Sequence, residues 1–112
     1  MLGLRRTPSI TPSDAAAQLR AGTLRLVDVR TRHEFDHVRV PGAEHVPLHE
    51  LAQRLEQVPA DRAVGFLCHS GHRSAVATRR AVRTHPNAVN VAGGMHAWLA
   101  AGLPHTSRRV TS

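Results

Sequence analysis

Ala63-Val64-Gly65-Phe66-Leu67-Cys68-His69-Ser70-Gly71-His72-Arg73-Ser74 carries the strongest structural signal in the chain. Its first five residues are apolar without alternation, as a strand covered on both faces requires. The next six, Cys68 to Arg73, are polar and contain a glycine. Ser74 to Thr84 then reads as a helix with Ala75, Thr78 and Val82 on one stripe. A buried strand that turns through a short loop into a helix is half of an α/β unit.

The alternation repeats on both sides of this stretch. Upstream, Thr11 is a suitable N-cap, Pro12 fits a first helical turn and Asp14 favours the positive helix end. That helix runs to about Ala21, with Gly22 as its stop. Leu24 to Val29 reads as a strand. Thr31 and Glu34 have capping-box spacing for a short helix. Pro41-Gly42 marks a turn, His45-Val46 a short strand, and Leu48 to Leu55 a helix. Downstream, Ala88 to Val91 is a strand, Gly93-Gly94 a tight turn, and His96 to Ala101 a helix stopped by Gly102. Strand and helix in turn, with short connections, predict a parallel sheet with helices on both faces. One domain is expected over residues 7–105, with flexible tails at 1–6 and 106–112. Gly65 interrupts the central strand, which points to close packing there.

A chain of 112 residues with 41% hydrophobic content suffices for one core. Its single cysteine excludes an internal disulfide and suits a reducing compartment. No segment reads as a signal peptide or is long enough to span a bilayer, so a cytoplasmic protein without membrane contact is expected. The formal charge is +7, and all 15 basic residues are arginine, a field that attracts small anions. The arginines are scattered and aromatic residues make up 3%, which argues against nucleic acid as a partner.

Cys68 follows directly on the carboxyl end of the most buried strand, where parallel α/β sheets form their sites. Backbone N–H groups at the start of the next helix bind anions. Gly71 gives the loop its freedom, and Arg73 adds positive charge. Cysteines in such surroundings have pKa values of roughly 3.5–7.5, so Cys68 should be a thiolate nucleophile near neutrality. Thiosulfate, persulfides, phosphate monoesters and arsenate all join an electrophilic atom to an anionic group. Cysteine phosphatases place five residues between cysteine and arginine. Here four separate Cys68 from Arg73, and Ser74 stands at the phosphatase arginine position, a loop better matched to sulfur. With no second cysteine, a persulfide on Cys68 would pass to an outside thiol, cyanide or a protein acceptor. Nine histidines invite a metal reading, through His33 and His37 or through Cys68, His69 and His72. The latter would occupy the nucleophile, so neither metal nor cofactor is expected and the loop histidines are read as tuning charge.

Cys68-His69-Ser70-Gly71-His72-Arg73-Ser74 resembles the active loop of the rhodanese homology domain. Val27-Asp28-Val29-Arg30, Glu34-Phe35, Pro41-Gly42-Ala43, Val46-Pro47-Leu48, Gly93-Gly94-Met95-His96-Ala97-Trp98 and Ala101-Gly102-Leu103-Pro104 resemble further family signatures, in order and at family spacing. The resemblance covers nearly the whole chain. It implies a five-stranded parallel α/β sheet and sulfurtransferase activity. Cys68 would be the nucleophile, the backbone of His69, Ser70, Gly71, His72 and Arg73 the anion cradle ahead of Ser74, and Asp28 with Arg30 the support of the site floor. Val38-Arg39 departs from the Gly-His of many relatives, which bears on substrate preference. The mercaptopyruvate loop signature is absent. A small anionic sulfur donor and a monomeric state are expected; a non-catalytic interaction module is the competing reading.

Overall fold

A computed structural model describes residues 7–108. The chain opens with β1 (Ser9–Ile10) and α1 (Pro12–Ala21). Thr11 caps α1 by accepting the backbone N–H of Asp14 at 3.1 Å, and Gly22 ends it by donating to the Leu19 carbonyl. β2 (Leu24–Asp28) follows, then α2 (Arg32–His37), β3 (Val38–Arg39) and β4 (Glu44–His45). The helix expected from Leu48 to Leu55 is instead a 3-10 turn (Leu48–Glu50), the single α-turn α3 (Leu51–Arg54) and a second 3-10 turn that begins at Leu55 and runs on to Gln57. Next come β5 (Ala63–Leu67), α4 (His72–Ala81), β6 (Ala88–Val91), α5 (Gly94–Ala100) and β7 (Thr106–Ser107).

Five strands form one parallel sheet in the order β1-β6-β5-β2-β4. β5, the apolar run of the sequence, is central. It pairs with β2 from Leu24↔Ala63 to Asp28↔Leu67. One face packs Leu24, Leu26, Leu67 and Val91 under Ala15 of α1 and Met95 and Trp98 of α5. The other packs Val27, Val64, Phe66 and Ala88 under Leu51 of α3 and Ala77 and Ala81 of α4. The expected helices on both faces are therefore present. A Cβ on Gly65 would lie 3.3 Å from Leu24 Cδ2 and 3.5 Å from Val91 Cγ2, the close packing expected of it.

Several of the boundaries expected from sequence differ. α4 begins at His72 rather than Ser74, so Arg73 belongs to its first turn. α5 begins at Gly94, inside the glycine turn. Thr106 and Ser107, expected in a flexible tail, pair antiparallel with Val38 and Arg39 in a small separate ladder. The tail positions 1–6 and 109–112 lie outside the described residues. Among the described residues no helix is long and apolar enough to cross a membrane.

Candidate active site

The pairing of β2 with β5 aligns the carboxyl ends of the two strands, so Asp28 lies beside Leu67 and Cys68 follows at the sheet edge. Cys68 is 1% exposed. The loop after it is wound onto two helix starts. Gly71 takes φ +104°, a conformation that favours glycine, and turns the chain into α4. Met95 and His96, in the first turn of α5, donate their N–H groups to the carbonyls of Cys68 (2.7 Å) and His69 (3.0 Å). Gly94 makes that approach possible. At φ +60° a Cβ would sit 2.4 Å from the Cys68 carbonyl oxygen and 2.6 Å from the His69 carbonyl. The orphan donors of α5 thus hold the loop in place.

The sulfur meets a ring of donors. Gly71 N–H donates to Cys68 Sγ at 3.0 Å, and the Ser74 hydroxyl lies 3.2 Å from it. Burial pushes the thiol up, but the Ser74 hydroxyl and the backbone N–H groups of Ser74, Gly71 and Ser70 outweigh it, so the pKa falls below the ordinary value. Hydrogen bonds and the start of α4 thus favour the thiolate. Within the expected cradle of His69 to Arg73, the backbone groups that act on the sulfur are those of Ser70 and Gly71, joined by Ser74. His69 and His72 are exposed at the loop surface. The His72 ring lies against the Ser70 hydroxyl at 3.2 Å, and the His69 and His96 rings are 6.3 Å apart.

Arg73 turns toward α2 rather than the sulfur. Its guanidinium donates to Glu34 through Nη1–Oε1 at 2.6 Å and Nη2–Oε2 at 2.8 Å. Glu34 also accepts from the Thr31 N–H, so one carboxylate completes the capping box of α2 and clamps α4 to it. The Arg73 hydrogen bonds hold Glu34 at about 2, against the opposing effect of burial and with help from Thr31. A folded-state pKa below the unfolded value gives stability that is present above about 4.5 and lost as pH falls toward about 2. Wild-type protein should therefore have a higher urea midpoint than Glu34→Gln at neutral pH, and the two midpoints should converge between those pH values. A gap unchanged at pH 2 would exclude the clamp as its origin.

At the carboxyl end of β2, Asp28 and Arg30 form a pair 0% and 2% exposed. Arg30 Nε donates to both Asp28 oxygens at 2.9 and 3.0 Å, and Nη2 donates to Asp28 at 2.7 Å and to the Val38 carbonyl at 2.6 Å. The pair ties the end of β2 to the backbone of the Val38-Arg39 segment. Arg39 itself lies over the Phe35 ring at 4.5 Å. A cleft of about 370 Å³ beside the loop is lined by Arg30, His49, Arg73 and Arg80, among others. His33 and His37, four apart on α2, stack with ring centroids 6.0 Å apart.

A parallel α/β sheet thus presents a hydrogen-bonded thiol at the end of its central strand, in a loop braced by two helix starts. The chain belongs to the rhodanese family: the family model for the Rhodanese-like domain matches residues 11–101. It is 36% identical over 80 residues to a sulfurtransferase of Allochromatium vinosum, covering 70% of this chain and 75% of the relative. It is 31% identical over 107 residues to the thiosulfate:glutathione sulfurtransferase of Homo sapiens, covering 82% and 93%. Other relatives are longer; the chain spans 42% of YrkF of Bacillus subtilis, a protein named for sulfur carriage, at 32% identity over 68% of this chain. Among solved structures, a rhodanese-related protein from Thermoplasma volcanium superposes with TM-score 0.82 at 25% identity, covering 88% of this chain and 97% of that one. These relatives connect the chain with sulfur transfer.

Proposed function

We propose that this protein is a sulfurtransferase that carries sulfane sulfur on Cys68 as a persulfide. The observation that supports this most is the sulfur's position among the Gly71 N–H and the Ser74 hydroxyl, which stabilise it as an anion. In the first half-reaction the Cys68 thiolate attacks the outer sulfur of thiosulfate. The sulfur–sulfur bond of the donor breaks, its electron pair leaves with sulfite, and Cys68 holds a persulfide anion. In the second, a thiol, cyanide or a protein acceptor attacks the outer sulfur, and the bond's electron pair returns to Cys68 Sγ. A glutathione persulfide can replace thiosulfate, with glutathione thiolate as the leaving group. Ser70, Gly71 and Ser74 bind the anion, Arg73 clamps the loop, and Asp28 with Arg30 holds its floor. His69 and His72 stand exposed at the loop surface. The lone thiol suits a reducing compartment such as the cytoplasm.

Intact mass of the protein after thiosulfate or glutathione persulfide tests the reading. One added sulfur atom is expected, removed again by cyanide. No added sulfur from either donor would overturn it and leave a non-catalytic module as the better description.

A further inference from the structure

Asn90 of β6 was not singled out by any motif, yet its side chain reaches both halves of the loop. It is 8% exposed. Its Nδ2 lies 3.2 Å from the Gly71 carbonyl oxygen, and its Oδ1 lies 2.5 Å from the Ser74 hydroxyl. A carbonyl oxygen only accepts, so the amide nitrogen must face Gly71 and the amide oxygen must face Ser74. The Ser74 side chain is 0% exposed and has one hydroxyl proton. Two acceptors lie within its reach, Asn90 Oδ1 and Cys68 Sγ at 3.2 Å. It cannot serve both fully.

We infer that Asn90 is a positioning residue that competes with the Cys68 sulfur for the Ser74 hydroxyl proton, holding it while the sulfur is neutral and yielding it as the sulfur becomes an anion. The inference rests on the reading of Cys68 as the reacting group. In the thiol and in the persulfide, Sγ carries no charge and the hydroxyl points at Asn90. When an acceptor takes the outer sulfur, the electron pair of the broken bond stays on Sγ, and the hydroxyl rotates to it. Asn90 then loses its donor. The residue therefore opposes ionisation of Cys68 while holding Gly71, and hence the loop, in place. The other charged or titratable groups around the thiol are Arg73 on α4 with its partner Glu34 on α2, the Asp28–Arg30 pair at the end of β2, and the imidazoles of His69, His72 and His96 on the loop and α5. All of them remain in the variants below.

The test is the pH dependence of iodoacetamide alkylation of Cys68, the only cysteine in the chain, in wild type, Asn90→Leu, Ser74→Ala and the double variant. With its rival acceptor gone, the Ser74 hydroxyl serves the sulfur alone, so Asn90→Leu should lower the midpoint by about half a pH unit or more. In the Ser74→Ala background the same substitution should leave the midpoint where it is. Asn90→Ala should follow Asn90→Leu. An unchanged or higher midpoint in Asn90→Leu, or an equal shift with and without Ser74, overturns the inference, since a loosened loop would act in both backgrounds. The wild type supplies a check free of substitutions: the side-chain carbonyl 13C shift of Asn90 should titrate with the thiol's midpoint, and a flat response overturns the inference. Alkylation reads the thiol without any sulfur donor. Failure of sulfur transfer would show in the mass experiment and leave these midpoints untouched.

Discussion

Cys68→Ser should reduce thiosulfate:cyanide sulfurtransferase turnover at least about a thousandfold, roughly 4 kcal/mol of lost transition-state stabilisation. The hydroxyl oxygen can accept the same hydrogen bonds from Gly71 and Ser74 that the sulfur accepts. What it cannot do is ionise at neutral pH or form a persulfide. The loss should therefore be chemical, with a thermal midpoint within a few degrees of wild type, because one buried sulfur-to-oxygen change costs about 1 kcal/mol. Initial rates and a melting curve on the same preparations decide the matter. A variant that keeps a tenth of the wild-type rate would rule out a covalent intermediate on Cys68.

Arg30→Ala should destabilise the domain by about 3–5 kcal/mol, the cost of leaving a buried charge without its partner. Of its hydrogen bonds with Arg30, Asp28 would keep only the one from the backbone N–H, 3.0 Å from Oδ1, and lose those from the guanidinium. The Val38 carbonyl would lose its guanidinium donor. Against a typical total of about 5–15 kcal/mol, this is a large fraction. Urea unfolding followed by circular dichroism would show the lowered midpoint. Replacing both partners, Asp28→Leu with Arg30→Met, should cost less than the single change, since no unpaired charge is left. A double variant worse than Arg30→Ala would place the stabilisation in something other than the ion pair.

Local chemistry made much of this fold readable in the sequence. Thr11 and Pro12, Thr31 and Glu34, and the unbroken apolar run of β5 each act over a few residues, and each produces the element it predicts. The position of Cys68 after the central strand followed from the same pattern. Elements that depend on distant partners were not legible. β1, β3 and β7 are two residues long and owe their existence to β6 or to each other, so no periodicity marks them. The buried face of α4 is Ser74, Ala77, Thr78 and Ala81, not the stripe of Ala75, Thr78 and Val82, because a polar Ser74 turns inward to the sulfur and to Asn90. Arg73 and Glu34 are 39 positions apart. The loop arginine advertised its charge, but the carboxylate that holds it was visible only as part of a helix cap.

The strand order also sets a timetable for synthesis. β5 occupies the middle of the sheet yet leaves the ribosome after β1, β2 and β4, and β6 follows later still. Until residues 63–67 emerge, β2 has one two-residue neighbour, and β1 has none until residues 90 and 91 arrive. Two-stranded pairings of that kind are marginal in water. A nascent chain halted before β5 should therefore be open to protease along its length, and protection should arrive late and together. The Cys68 loop lies between β5 and β6, so its thiol acquires its hydrogen-bonding partners only once the sheet that carries them is nearly whole.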